Sequence, residues 1–569
     1  MNFHRDCLGK VQAEDSHNRF CIDSISAGKK VNIKVIFCDR INKCFYIIDG
    51  FEHNLFPFHV RSLLFPDKIG RLSSQEFVER RLYLLFKFII IYLYIIFNSF
   101  QDERYSQKYH GIYVIFKEKV VGTEEPYRTM RRNTPEKRGF MRAAFYTLGC
   151  KVNQYETQVL IQQFSAYGYD IVDSSDAADV YIINSCTVTA SGDKKTRQMI
   201  HRMKRNSPGA VVALTGCFPQ AFPEEAQKME EVDILVGAGE KKKVLEYVNQ
   251  YLRDGKRIVK ITPHTKEERF EEMKADSFLE RTRAFVKIQD GCEHYCSYCI
   301  IPYARGFNRS KSLEDLKLEL YDLSAKGYKE VVLVGIDLSS YGKDIGCHLV
   351  DAVTLACTTE GIERVRLGSL EPLILTDKNL EILASLPNFC PQFHLSLQSG
   401  CDATLKRMNR HYDTAFYRDL VARIRTKFDN PSITTDIMVG FPGETEEEFA
   451  ESLAFAKEIG FGKVHVFAYS IRPGTRAAKM PNQLTNHQKE QRSHKMAEVT
   501  EQSRQEFLQS QVGKIESVLF ETQQSDGMQH GYTKNYTPVC VKSDRELCGE
   551  IHDVRITGVQ GDLCTAELI

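Results

Sequence analysis

The stretch DGCEHYCSYC (Asp290–Cys299) follows directly on the apolar run Ala284–Gln289, and its reading decides the architecture around it. Cysteines placed just past a strand point to the carboxyl end of a parallel sheet, where ligands gather in α/β folds. Working downstream, five more strand-like runs alternate with helical patterns: Val331–Val334, Arg364–Gly368, Phe393–Leu397, Ile433–Val439 and Lys463–Ala468. Six βα units predict an open partial barrel rather than the full eightfold one, with its working face at the strand ends. The chemistry-bearing segments VGIDLSSYG, LGSLEP, SLQSG, VGFPGE and YSIRPGT all fall at those ends.

Within the quoted stretch, Cys292, Cys296 and Cys299 stand in C-x3-C-x2-C spacing. Three thiolates hold three irons of a [4Fe–4S] cluster, where a purely electron-carrying cluster takes four. The fourth iron is then free to chelate the amino and carboxyl groups of S-adenosylmethionine and to feed an electron into its sulfonium. That step releases a 5′-deoxyadenosyl radical. The competing reading is a zinc site, but structural zinc wants four closed ligands. The paired C-x2-C groups that such sites use are absent here. His294, inside the loop, is a conceivable fourth ligand and is read as exposed.

Upstream, the same rule applies three more times. Ala143–Gly149 runs into Cys150, Val180–Ser185 into Cys186, and Ala210–Gly216 into Cys217. A fourth strand, Asp233–Val236, leads into Gly237-Ala238-Gly239. Three cysteines capping three parallel strands converge on one rim, whereas thiols buried as small hydrophobes would be scattered along the strands. A shared metal or cluster site is the preferred reading over three unrelated core thiols. Asn153, Asn184 and Thr187 lie beside these cysteines, either as hydrogen-bond partners for sulfur or as turn formers.

The charge balance, 76 Lys+Arg against 75 Asp+Glu, excludes a bulk field that steers the chain to nucleic acid, so any RNA contact is local. Seventeen cysteines without a signal peptide or short even spacing exclude a secreted disulfide scaffold. Cys347, Cys357, Cys390, Cys401, Cys540, Cys548 and Cys564 are read as small buried hydrophobes. Residues 1–140 differ in composition from the rest, rich in Phe, Ile, Tyr, Lys and Asn, with neither helical nor strand periodicity sustained. Leu82–Phe100 raises the question of a membrane span, but Lys87 interrupts it. The uninterrupted run Phe88–Phe97 is far short of the roughly 20 residues that a bilayer needs. We expect translation to begin at Met141, where ordered α/β patterning starts and Lys137-Arg138-Gly139 is encodable by a purine-rich run like a ribosome-binding site. The alternative is a membrane anchor.

The C-x3-C-x2-C loop and the strand-end segments resemble the radical S-adenosylmethionine superfamily. The resemblance implies that Tyr298 contacts the adenine, and that Gly335 lets the backbone approach the methionine moiety. It also implies that Ser369, Glu371 and Gln398, in GSLEP (Gly368–Pro372) and QSG (Gln398–Gly400), line the cofactor cavity. From Met141 onward the chain is similar to the methylthiotransferases, which carry a second three-cysteine [4Fe–4S] cluster; the matching residues here are Cys150, Cys186 and Cys217. FYTLGCKVNQYET (Phe145–Thr157) resembles the branch acting on threonylcarbamoyladenosine beside the tRNA anticodon. The chain departs from the family at FNRSKS (Phe307–Ser312), where a denser basic run is usual, and at Asp337, where a neutral amide is usual. The resemblance implies two S-adenosylmethionine molecules: one methylates a sulfur at the auxiliary cluster, the other is cleaved to the radical that opens carbon 2 of the adenine. A flavodoxin or ferredoxin would supply electrons, and the cytoplasm would be the compartment.

Toward the C-terminus, Asn486–Leu508 reads as a solvated helix bridging domains. Glu516–Glu521, Tyr532–Lys542, Asp553–Thr557 and Leu563–Leu568 read as strands of a small all-β barrel resembling the TRAM domain. In its loop GYTKNYTPV, Tyr532, Lys534 and Tyr536 are the expected RNA contacts, rings stacking on bases and the lysine meeting phosphate. The expected domains are an extension (1–140), an N-terminal parallel α/β sheet domain (141–252), a linker (253–283), a partial (β/α)6 barrel (284–485), a helical linker (486–512) and the β-barrel (513–569). The rival readings are the same chemistry on isopentenyladenosine or on a ribosomal-protein aspartate, and a non-catalytic iron–sulfur RNA-binding or redox-sensing protein.

Overall fold

The computed structural model describes residues 141–274 and 282–569, with the backbone of three strands further upstream. Those three, β1 (Arg19–Ser26), β2 (Lys29–Ile36) and β3 (Phe45–Asp49), pair as an antiparallel meander where the sequence shows no sustained alternation. They fall in a unit, Met1–Thr134, separate from Pro135–Ile569. Leu82–Phe100 lies outside the described residues, and no helix among the described residues is long and apolar enough to cross a membrane.

From Met141 the chain builds a six-stranded parallel sheet in the order β5-β4-β6-β7-β8-β9. Its strands are β4 (Arg142–Thr147), β5 (Asp170–Val172), β6 (Val180–Ser185), β7 (Val211–Gly216), β8 (Ile234–Val236) and β9 (Ile258–Lys260). Every residue of β6 and β7 is buried. Helices cover both faces of a parallel sheet, and this is why VYIINS and VVALTG read as nearly unbroken apolar runs. Apolar clusters fill each side, one around Phe164, Val180 and Val248, the other around Tyr181, Leu214 and Phe218. β9 arises from the stretch expected to be linker: it pairs with β8 and completes the sheet edge.

The second layer is the expected partial barrel, with strands β10 (Arg283–Lys287), β13 (Glu330–Val334), β14 (Arg364–Leu367), β16 (Gln392–Leu395), β17 (Ser432–Val439) and β18 (Lys463–Ala468). All are parallel, but they form two sheets. The chain breaks at Gly368: β14 ends at Leu367, and the two-residue β15 (Ser369–Leu370) begins the second sheet, with a lone Val365–Phe389 pairing joining the halves. A short hairpin, β11 (Gln289–Asp290) against β12 (Arg309–Ser310), closes the cysteine loop at its base. Helix α1 (Lys151–Tyr167) of the first domain sends Val152, Tyr155 and Val159 into the barrel's own core, so the two domains share apolar packing. The Tyr155 hydroxyl donates to buried Glu319 at 2.8 Å across this seam.

The C-terminal segment corrects two expectations. The helix that follows the barrel, here α4 (Asn486–Gln509), is not merely solvated. Lys489, Arg492, Met496, Thr500 and Ser503, spaced three and four apart, form a buried stripe. It reads as polar because a polar group can be buried once it is paired. Arg492 reaches Glu444 at 2.6 Å and Glu446 at 2.7 Å, and Thr500 donates to its own helix backbone. Beyond it a closed barrel forms in the order β19-β20-β21-β23-β22. The strands are β19 (Ile515–Gln523), β20 (Met528–Thr533), β21 (Pro538–Lys542), β22 (Ile551–Gln560) and β23 (Leu563–Leu568). The single strand expected over Tyr532–Lys542 is two, parted by a turn in which the Asn535 side chain accepts from Thr533 and Thr537 and Tyr536 adopts a left-handed φ of 69°. Of the seven cysteines read as core, Cys357, Cys390, Cys401, Cys540 and Cys564 are buried; Cys347 is half-buried and Cys548 exposed.

Candidate cluster sites and the seam between them

Register explains why the first three cysteines meet. Thr147 lies opposite Asn184 and Asn184 opposite Thr215, so β4, β6 and β7 end nearly level and release Cys150, Cys186 and Cys217 at one rim. Cys150 precedes α1, and Cys217 opens the short helix α2 (Cys217–Ala221). Gly149 is required where these loops cross: its φ is +109°, and a Cβ there would sit 2.8 Å from Cys186 Cβ and 3.1 Å from its Sγ. Burial pushes the Cys186 thiol up to about 12, with the charges of Cys217 and Cys150 adding to it. What sets these three thiols apart is their convergence at one rim, since thiolate sulfur is the donor that iron–sulfur clusters use. The donor chemistry therefore fits an iron–sulfur cluster.

The second triad sits on the loop after β11. Cys292 N–H donates to Gly306 O at 3.0 Å and Cys299 N–H to Cys296 O at 2.9 Å, which folds the loop back on itself. Burial, with the charge of Cys296, pushes the Cys299 thiol up to about 12. Three thiols on one folded-back loop are again a soft donor set, and they fit a second cluster by their chemistry. His294, expected to be exposed, is only partly so: its Nε2 lies 3.0 Å from Asp337, away from a ligand role. The aspartate found where an amide is usual also accepts from the Ser340 hydroxyl at 2.6 Å. The FNRSKS segment is likewise spent on internal contacts, with Asn308 and Ser310 on Asp344, Arg309 on Glu268 and Lys311 on Glu319.

Around this loop lie the residues expected to line the cofactor cavity. Tyr298 meets Phe441 edge-on with centroids 6.4 Å apart. Gly335 has no room for a side chain: a Cβ would lie 2.8 Å from Gln289 Oε1 and 2.9 Å from Leu338. Gln289 is a residue the sequence did not single out; its amide donates to Asp290 O, Gly291 O and Asn308, and its Oε1 accepts from Asp337 N–H, locking two strand ends together. Ser369 is exposed at the head of β15. Gln398 holds a left-handed φ of 71° and exchanges backbone bonds with Asp436 and Met438 on β17. Glu371 is clamped by Arg410, whose Nη1 also donates to Cys296 Sγ at 3.2 Å. Arg410, another residue missed by sequence reasoning, neutralises that carboxylate beside the cluster loop.

Between the two triads runs a buried ionic network. Arg305, at the end of helix α3 (Ile301–Arg305), is fully buried and donates to Cys217 Sγ at 3.3 Å. Its other contacts are Glu156, Asp290 and Asn153, and Lys241 and Lys287 also converge on Glu156. Asn153, Asn184 and Thr187 do not reach sulfur. Asn153 donates to Leu148 O and Ser185 O, Asn184 to Asn153 O and Thr157, and Thr187 to Asp193, which also receives Arg472 from the loop after β18. These side chains wire the loops together, and the sulfur contact belongs to the arginine.

The three residues expected to contact RNA are half-buried where the β-barrel meets the central domain. The rings of Tyr532 and Tyr536 stack on each other, 4.5 Å apart and 15° from parallel, and the Arg283 guanidinium lies 5.1 Å from both. Arg366 covers Tyr536 at 4.7 Å and donates to Lys534 O at 2.8 Å, while Lys534 Nζ donates to Pro387 O at 3.1 Å. Arg283 and Glu330 begin β10 and β13, so this is the rim where the barrel strands start, opposite the cysteine loops. The loop docks the β-barrel onto the central domain through Arg283 and Arg366.

Comparison with known proteins fits this layout. Residues 286–456 match the family model of the Radical SAM superfamily, residues 142–237 that of Uncharacterized protein family UPF0004, and residues 509–569 that of the TRAM domain. A three-thiol loop at the mouth of a parallel partial barrel, together with the first match, defines a radical S-adenosylmethionine enzyme. The threonylcarbamoyladenosine tRNA methylthiotransferase MtaB of Bacillus subtilis (strain 168) is 39% identical over 73% of this chain and 93% of its own length. That of Aquifex aeolicus (strain VF5) is 40% identical over 66% and 91%. The tRNA-2-methylthio-N(6)-dimethylallyladenosine synthase of Clostridium botulinum (strain Langeland / NCTC 10281 / Type F) is 34% identical over 74% and 96%. The chain belongs to the radical SAM tRNA methylthiotransferase family.

Proposed function

We propose that this enzyme adds a methylthio group to carbon 2 of N6-threonylcarbamoyladenosine next to the tRNA anticodon, with two [4Fe–4S] clusters. Cys292, Cys296 and Cys299 would hold the radical cluster and Cys150, Cys186 and Cys217 the auxiliary one. Tyr298, Gly335, Ser369, Glu371 and Gln398 would line the S-adenosylmethionine cavity. The observation that carries the two-cluster reading is the buried guanidinium of Arg305, which descends from one cysteine loop and contacts a sulfur of the other set. The nucleoside assignment is supported by FYTLGCKVNQYET and by the higher identity to relatives named for threonylcarbamoyladenosine (39% and 40%) than to that named for dimethylallyladenosine (34%).

When bound, the clusters and S-adenosylmethionine supply radical and sulfur chemistry that side chains cannot, since the adenine C2–H bond is neither acidic nor electrophilic. The chain's own residues hold the parts in place. Gln289 and the β11–β12 hairpin fix the cysteine loop, Gly335 leaves the second strand end bare for close approach, and Arg410 orients Glu371 toward the cavity. Arg472 and Arg305 fasten the first domain to the strand-end loops of the barrel. Flavodoxin or ferredoxin would deliver electrons, and the cytoplasm would be the compartment.

The test is mass spectrometry of nucleosides from threonylcarbamoyl-modified tRNA incubated anaerobically with reconstituted enzyme, reductant and S-adenosylmethionine. A new methylthio-threonylcarbamoyladenosine peak is expected. 5′-Deoxyadenosine without a changed nucleoside would refute the substrate, and a product only on isopentenyladenosine tRNA would move the enzyme to the sister branch.

A further inference from the structure

Arg305 has an unusual completeness of bonding. A guanidinium carries five N–H donors in a fixed plane. Here Nη1 donates to Glu156 Oε1 at 2.6 Å and to Asp290 Oδ2 at 3.1 Å, and Nη2 to Asn153 Oδ1 and to Glu156 Oε2, the latter at 3.1 Å. Those four bonds set the plane, and the one remaining donor, Nε–H, meets Cys217 Sγ at 3.3 Å. The contact is therefore aimed by its surroundings rather than by chance proximity.

The placement of charge points the same way. Arg305, Lys241, Lys287 and Arg309 bring positive charges into this buried seam, and Glu156, Asp290, Glu268 and Glu271 bring as many negative ones. A buried cation is costly unless an anion faces it. Of these cations it is Arg305 that adjoins a cysteine sulfur, that of Cys217, and a thiolate-ligated cluster there would be an anion facing it. Covalently, Arg305 lies six residues after Cys299 on the helix that Gly306 ends; a Cβ on Gly306 would run into His264, and Gly306 O is the acceptor for Cys292 N–H.

We propose that Arg305 is a positioning residue of the auxiliary cluster, which through its bond to the Cys217 sulfur and the positive charge it holds there raises that cluster's reduction potential and ties it to the radical-cluster loop. The inference rests on the auxiliary cluster proposed above. A hydrogen bond to a ligand sulfur withdraws electron density from the irons, and a buried positive charge favours the more negative, reduced state; both push the potential up.

The experiment is done in a Cys292→Ala/Cys296→Ala/Cys299→Ala background, so that only the auxiliary cluster is observed. Iron and sulfide content and an EPR-monitored redox titration are measured for the background, R305Q, R305K and E156Q. R305Q should shift the potential to more negative values, R305K less far because it keeps the charge and loses the fork. E156Q removes a compensating carboxylate and should shift the potential the opposite way, which a merely structural role would not do. Because R305Q removes a buried cation and threatens folding, pulsed EPR on the background protein carrying 15N-arginine supplies an independent readout: the reduced cluster should show coupling to an arginine nitrogen. Absence of that coupling, coincident potentials for R305Q and the background, or shifts of the same sign for R305Q and E156Q would overturn the inference while leaving the two-cluster reading intact. A background protein without iron would overturn both.

Discussion

Replacing Arg366 by methionine tests the claim that the β-barrel is docked by buried charge rather than by apolar packing. Arg366 is 1% exposed and holds Glu330 at 3.0 Å. Its guanidinium donates to Lys534 O and Thr533 O and covers the Tyr536 ring. Methionine keeps much of the apolar stem but leaves two carbonyls without donors. It also leaves Glu330 with only the longer contacts to Arg364 at 3.8 Å and Arg283 at 3.9 Å. Breaking one partner of a buried ion pair costs about 3–5 kcal/mol, because the surviving charge stays desolvated. At about 1.4 kcal/mol per tenfold, amide exchange at Tyr536 and Thr537 in the docking turn should accelerate by roughly 100- to 1000-fold or more. The pH dependence carries a sign. In the parent, burial alone would raise the Glu330 carboxyl, but Arg366, Arg283 and Arg364 outweigh it and hold it below the usual range. In R366M the largest opposing charge is gone and burial remains, so the carboxyl rises above its unfolded value. The variant then regains stability as pH falls through that raised value, and its deficit against the parent is smaller near pH 4 than at pH 7. Native-state hydrogen exchange at both pH values measures this. Acceleration below threefold at pH 7, or a deficit that grows in acid, would refute the reasoning.

Gly149→Ala places a methyl against Cys186 at a backbone φ of +109° and should lower the iron content. The strain should cost about 1–3 kcal/mol, and full iron with an unchanged melting temperature would contradict the crossing-loop geometry. Cys292→Ala should abolish 5′-deoxyadenosine formation, whereas Cys150→Ala should retain it and lose only methylthiolation, as read by chromatography of both products. Tyr155→Phe removes the hydroxyl that donates to buried Glu319 at 2.8 Å. It should destabilise the domain seam by about 1–3 kcal/mol in urea unfolding, and no shift of the midpoint would count against that seam. Substituting Lys534 and Tyr536 together should increase proteolysis of the β-barrel with little loss of iron; weakened tRNA binding without loosened docking would restore the RNA-contact reading.

Much of the architecture was legible locally. Strand ends at Cys150, Cys186, Cys217 and Cys292 followed from apolar runs stopping at thiols, because a parallel strand buried on both faces must be apolar and its end must turn. The stretch 253–283 read as linker since β9 spans only Ile258–Lys260 and two of its residues are exposed, too short a signal for alternation. Helix α4 read as solvated because hydropathy cannot tell a buried Arg492, paired across 48 residues with Glu444, from an exposed one.

The sequence by itself determined the chemistry and the order of modules: cysteine spacing, strand ends and turn residues are short-range properties that survive without a fold. Only the tertiary structure decided what the polar side chains do. It set Tyr532, Lys534 and Tyr536 in a turn that docks on the central domain, and gave the sulfur contact to Arg305 and not to Asn153. The reason is physical: a thiol after a strand is placed by its neighbours in the chain, but a guanidinium is placed by acceptors 15 to 152 residues away, whose convergence no local pattern encodes.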